Sequence, residues 1–231
     1  MKKIWALMII VVVTLGLSGC FGYKEEITLF TDSTGVQWRV LAEDGKGNRL
    51  IITEHVHGLV QYNSSNIYTS LGQSDGLRIA LNEWFVYTLA PELRENALPA
   101  GNVDNDVRLN IGDDVDYSFW HQITAHENEA AGWTVAATGA ALPENSLFVL
   151  SISEVNKYSN LGTLNVQGLM RVIPEGHFVP VAWWLRSPGS SSDSPVALMW
   201  AGDSLEVEGF YVSVAAATSK FGFRPALWIS R

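Results

Sequence analysis

The chain has 231 residues, 15 basic against 24 acidic, for a formal net charge of −9. An acidic surface repels phosphate backbones and no basic stripe offsets it, so nucleic acid is not an expected partner. The single cysteine excludes disulfide staples, and the roughly 210 residues after the apolar leader are enough to bury one core.

Lys2 and Lys3 precede an apolar run from Ile4 to Leu17, about 14 residues, short of the roughly 20 needed to cross a bilayer as a helix. The run ends in Leu17-Ser18-Gly19-Cys20, which resembles the bacterial lipobox. That resemblance implies cleavage before Cys20, lipid on its thiol, and an extracytoplasmic protein anchored to a membrane, at the cell surface or on an outer membrane. Each buried CH₂ contributes about 0.8 kcal/mol to such an anchor, and two or three acyl chains hold far better than one. Residues 1–19 are then signal peptide, 20–26 the lipidated cysteine and its tether, and 27–231 the domain. Removing Lys2 and Lys3 leaves 13 basic against 24 acidic residues, a net of −11. With Cys20 committed to lipid, no thiol remains for a nucleophile or a thiolate metal site.

Ile27–Phe30, Val36–Ala42 and Leu50–Thr53 read as strands joined by turn chemistry at Thr31–Gly35 and Glu43–Asn48, an N-terminal meander. Val36, Trp38 and Val40 fall on one face of the second strand. His55 and His57 follow at a spacing that puts both rings on one side of a strand. Two ligands do not make a metal site, and a solvated strand end is the expectation. Leu77, Ala80, Leu81, Trp84, Phe85 and Thr88 recur at helical period, with Ser74 as expected N-cap and Asp75 in the first turn. Pro91 opens a second, shorter helix to about Asn96.

From Leu98 to Asn145 periodicity fades. Asp104, Asp106, Asp113, Asp114 and Asp116 cluster there, a set of hard oxygens that could hold Ca²⁺. The spacing does not fit an EF-hand, and His126-Glu127 lacks the second histidine of a zinc-protease helix, since residue 130 is Ala. A solvated acidic loop is the default. Leu147–Leu150 reads as a strand, and Ser151-Ile152-Ser153-Glu154 as a capping box opening a helix to about Tyr158. Val179–Leu185 is apolar and aromatic, stopped by Ser187-Pro188-Gly189. Val196–Ala201 and Leu205–Val214 read as a hairpin with Gly209 as a bulge. Phe221–Ile229 is the last strand.

Five blocks, in order, are similar to a bacterial family of extracellular domains, the domain of unknown function 6273. They are Trp38-Arg39-Val40-Leu41; Asp75 to Phe85; Leu147-Phe148-Val149-Leu150-Ser151 with Glu154; Trp183-Trp184-Leu185-Arg186-Ser187-Pro188-Gly189; and Gly222-Phe223-Arg224-Pro225-Ala226-Leu227-Trp228-Ile229. Ala80 stands where the family prefers tryptophan and Phe223 where it prefers valine. The resemblance implies an α+β, C-type-lectin-like fold: small twisted antiparallel sheets, two or three helices and long loops. It implies function poorly, because one scaffold hosts many sites. The calcium-dependent sugar triplets of animal-type lectins do not occur here, nor does the cysteine pair of formylglycine-generating enzymes.

Within the two signature blocks, Trp183, Trp184, Arg186, Arg224, Pro225 and Trp228 are expected to be structural. A buried guanidinium needs carbonyls or an acid such as Glu154. In this fold the segment between the blocks builds the ligand face, here Ser190 to Lys220. Its candidate contacts are Trp200, Asp203, Glu206, Glu208 and Tyr211, aromatics beside carboxylates that suit a protein or glycan. The expected function is a non-enzymatic, lipid-anchored binding module without a cofactor. The alternatives are a structural envelope lipoprotein or a metal-dependent enzyme.

Overall fold

A computed structural model describes residues 28–68, 71, 74–100, 146–172, 176–188, 195–201 and 209–231, with 195–201 and 209–214 as backbone. Two aspartates start the fold. One Asp32 carboxylate oxygen accepts from Thr34 N (2.9 Å), the Thr34 hydroxyl (2.7 Å) and Val36 N (3.0 Å). The other accepts from the indole of fully buried Trp38 (2.9 Å). Gly35, at φ 90°, takes the left-handed turn position. Strand β1 (Leu29–Thr31) is thereby folded back on β2 (Gln37–Glu43). Asp44 repeats the device with Lys46 N and Asn48 N, turning β2 into β3 (Arg49–Thr53). The expected meander is present. Its one-sided face is not, because the register shifts between Val40 and Ala42; Leu41 and Arg39 are buried and Val40 only half-buried.

The later strands are β4 (His57–Gln61), β5 (Ala97–Leu98), β6 (Leu169–Arg171), β7 (Phe178–Pro180), β8 (Trp183–Pro188), β9 (Pro195–Ala201), β10 (Gly209–Val214), β11 (Lys220–Phe223) and β12 (Ala226–Ile229). They form one sheet in the order β1-β2-β3-β12-β5, another in the order β10-β9-β8-β11-β4, and the small hairpin β6-β7. All described pairings are antiparallel except β8 with β11, where Gly222 faces Trp183. With three short helices, the described residues make an α+β architecture of small sheets, and no barrel closes among them.

Several expected strands are divided differently. Phe221–Ile229 is two strands in two sheets, because Pro225 has no N–H for a ladder and the Arg224 side chain turns inward between them. The apolar run Val179–Leu185 falls across β7 and β8. Ser187 and Pro188 do not stop β8; Pro188 is registered against Pro195. Gly209 pairs with Ala201 in unbroken register and is not a bulge. Leu147–Leu150 is buried but is no strand, since only Phe148 bridges Ala226. Its other carbonyls go to arginines: Leu147 O accepts from Arg78 Nη1 (2.9 Å), and Val149 O from Arg186 Nη1.

Helix α1 (Leu77–Tyr87) buries Leu77, Leu81, Trp84 and Phe85, as its period requires, and also Arg78. The N-cap position is not Ser74, although the Ser74 hydroxyl accepts from Arg78 N in the first turn (3.3 Å). Gly76 is the N-cap, and its N–H and that of Leu77 both donate to Tyr62 O (3.2 and 3.0 Å). A Cβ on Gly76 would lie 2.3 Å from Gln61 O, so only glycine permits this approach. Asp75 is turned aside to bond Ser64 N (2.7 Å) and the Ser64 hydroxyl. Helix α2 (Pro91–Glu95) starts on its proline.

Helix α3 (Ile152–Asn160) has the capping box: the Ser151 hydroxyl accepts from Glu154 N (3.2 Å) and the Glu154 carboxylate from Ser151 N (3.0 Å). Ser151→Ala is expected to cost about 1 kcal/mol. The urea midpoint of the full chain measures it, and an unchanged midpoint would contradict the role of the cap.

Tryptophan packs both a sheet against a helix and neighbouring strands against each other. Trp38 meets Trp84 edge-on (5.8 Å, 72°), and Trp184 meets Phe221 at 4.8 Å. Each such ring contributes roughly 2–3 kcal/mol by leaving water. Among the described residues, no helix is long and apolar enough to cross a membrane.

Candidate functional site

Charge is brought into this core in a fixed pattern. Where β3 ends, Glu54 is 8 % exposed, and Arg39 grips its carboxylate with two bonds (2.6 and 2.8 Å). Asn165 adds a third (3.1 Å). Burial alone would raise the Glu54 pKa; the Arg39 and Asn165 bonds outweigh it and hold the carboxyl below its ordinary value. Beside this pair, Arg224 is fully buried. It donates twice to Thr53 O (3.0 and 2.8 Å) and once to Asn165 O, and it lies 5.1 Å over the Trp183 ring. Burial lowers its pKa to about 10, so it remains a cation at neutral pH.

The other signature arginine, Arg186, is paired with Glu154 (2.7 Å) and faces the Phe148 ring at 5.3 Å. Burial lowers it to about 9. Trp183 and Trp184 are buried, Pro225 is buried, and Trp228 is half-buried in β12. The indole of Trp184 donates to Val60 O (2.8 Å), while that of Trp183 has no partner among the described residues. These residues hold sheets together.

The candidate ligand face fares differently. Asp203, Glu206 and Glu208 lie outside the described residues, as do Cys20 and the acidic positions Asp104 to Asp116. Trp200 is registered against Phe210 and Tyr211 against Met199. Cross-strand partners share a face and neighbours alternate, so Trp200 and Tyr211 occupy opposite faces of the β9–β10 ribbon. The backbone therefore does not gather those two aromatics on one surface.

Three other segments are gathered. The turn after β1, the run from His55 to Gly58, and the β6–β7 hairpin enclose a cleft of about 900 Å³. Its polar residues are Thr31, Thr34, Gln37, His55, His57 and Arg171. Val36, Val56, Met170 and Phe178 supply apolar wall. Phe178 is 44 % exposed and lies 4.5 Å from the His55 ring.

The histidines are not a solvated strand end. His55 precedes β4 and His57 opens it, so no strand aligns both rings. The His57 ring sits edge-on to Trp84 (5.3 Å), and its Nε2 is buried without a partner. Burial, with His55 and Arg224 nearby, pushes its pKa down to about 4. His55 is lowered too, first by burial and then by Arg224, against the pull of Glu54. Its Nε2 meets Gln37 Oε1 at 3.2 Å, leaving Nδ1 buried and unpartnered. Both rings are neutral at pH 7. Among the described residues no three His, Cys, Asp or Glu side chains gather as a metal-ion group.

Sequence spacing picked out His55 and His57 but not the cleft. Arg171 and Phe178 were missed, although a hairpin signal was there: Pro174 and Gly176 between two short apolar runs. Gly176 sits at φ 76° in that turn. Compared with known proteins, the chain matches no family model, no curated protein and no solved structure.

Proposed function

We propose that the protein is a lipid-anchored, extracytoplasmic binding module without catalytic activity, built on a C-type-lectin-like scaffold of the domain-of-unknown-function-6273 kind. The observation that carries the reading is the cleft. Segments more than a hundred residues apart converge on it, and the buried Arg39–Glu54–Arg224 cluster fixes the backbone behind it. It offers amide, hydroxyl, imidazole and aromatic surface, the mixture that orients a ligand. Among the described residues no carboxylate hydrogen-bonds either histidine to make it a general base. The lipobox-like Leu17–Cys20 supports the anchor.

Gln37→Trp tests the reading, because residue 37 is exposed at the cleft and the larger ring would fill it. The full chain and this variant are compared for retention on purified envelope glycans and on envelope proteins. Retention lost in the variant is the expected result. Equal retention would move the ligand face elsewhere, to the Ser190–Lys220 segment. No retention by either would favour a structural envelope lipoprotein.

A further inference from the structure

The charge inventory of the cleft narrows what fits it. Two carboxylates lie close by, and both are occupied: Asp32 by its own turn and Trp38, Glu54 by Arg39 and Asn165. The imidazoles carry no charge at pH 7. Among the described residues that leaves Arg171 as the one formal charge in the lining. Among the described residues no hydrogen bond or ion pair engages its guanidinium. Its Nη2 is only 3.7 Å from where a Cβ on Gly176 would stand, so the fork lies along the glycine of its own hairpin. In a chain of net charge −9, a wall whose only free charge among the described residues is positive is not the background.

We infer that the cleft takes a small organic carboxylate, with the carboxylate on Arg171, a flat or apolar face against Phe178, and a polar edge toward Gln37 and Thr31. A planar guanidinium matches a carboxylate with two parallel bonds, each stronger than a neutral one. A single cation balances a monoanion. A phosphate dianion would want a second cation or a helix N-terminus, and the described lining residues supply neither. Phe178 stands one strand away in register with Arg171, so charge and ring come from the same hairpin. This rests on the cleft being the binding site, and it specifies that site's ligand.

The test uses the full chain in mild detergent and four probes titrated by calorimetry: glucuronate, benzoate, and their neutral amides. At least one acid should bind in the millimolar range, at least about tenfold tighter than its amide. Arg171→Gln should erase that preference, and Arg171→Lys should restore part of it. Whichever acid wins tells whether the body of the ligand is polyhydroxylated or aromatic. Amides binding as well as acids, with binding lost in Gln37→Trp, would overturn the carboxylate assignment and leave the cleft standing. Inorganic phosphate binding tighter than either acid would overturn it too, as would an Arg171→Gln variant that binds unchanged. No heat from any probe at about 10 mM would remove the proposal.

Discussion

Replacing Arg224 by methionine is expected to destabilise the protein by about 3–5 kcal/mol, the cost of breaking a buried charged network by taking one member out. The side chain is fully buried and has no water to retreat to. Its removal strips Thr53 O of two donors and Asn165 O of one. It also leaves Glu54 with Arg39 as its only close cation. Arg224→Lys should recover only part of the loss, because one ammonium cannot span two carbonyls as a planar fork does. Urea unfolding of both variants measures the effect. A loss below about 1 kcal/mol in Arg224→Met would mean that the guanidinium is not what joins these segments.

A second large effect is expected from pH. His57 has a folded pKa near 4 against an ordinary value of 6.5, so its folded form resists protonation. Stability from this group is complete above pH 6.5. Below that the unfolded chain takes up the proton and the folded one does not. The loss grows until about pH 4, where both forms are protonated, and amounts to about 3 kcal/mol. His55 shifts in the same direction and adds to the slope. His57→Phe keeps a ring against Trp84 and removes the proton site. Its stability, from denaturant titrations between pH 7 and 4, should fall more gently than that of the parent by this amount. Parallel curves would show that His57 is not held neutral.

Much of the local structure was legible because it is encoded locally. Asp32 and Asp44 cap their own turns, Ser151 and Glu154 cap their own helix, and Leu77 to Phe85 carry a helical stripe. What failed depended on distant atoms. Ser74 was expected at the N-cap; its hydroxyl does take the Arg78 N–H, but the helix starts at Gly76 because Tyr62 O accepts the first two N–H groups. Leu147–Leu150 looked like a strand because it is apolar, yet arginines from α1 and β8 take its carbonyls. In Phe221–Ile229 the proline was visible, but β-propensity on both sides masked a change of sheet. Glu154 could be named in advance as one candidate acid because a buried guanidinium must find carbonyls or a carboxylate, and Arg186 takes both it and Val149 O. No such constraint links residue 37 to residues 55 and 171, so the cleft could not be read from spacing.

The placement of β12 has a consequence for how the chain is made. It lies between β3 and β5, two strands synthesised more than a hundred residues earlier. Until Ala226–Ile229 emerge, the meander β1-β2-β3 has a bare edge of unpaired N–H and C=O groups, with Leu50, Ile51 and Ile52 along it. Such an edge is a template for pairing with another molecule. The first sheet is thus opened early in synthesis and sealed more than a hundred residues later, and in the interval the nascent chain must be kept from its own copies. Non-local closure of this kind is slow, so the bare edge persists for as long as the last strand is unpaired.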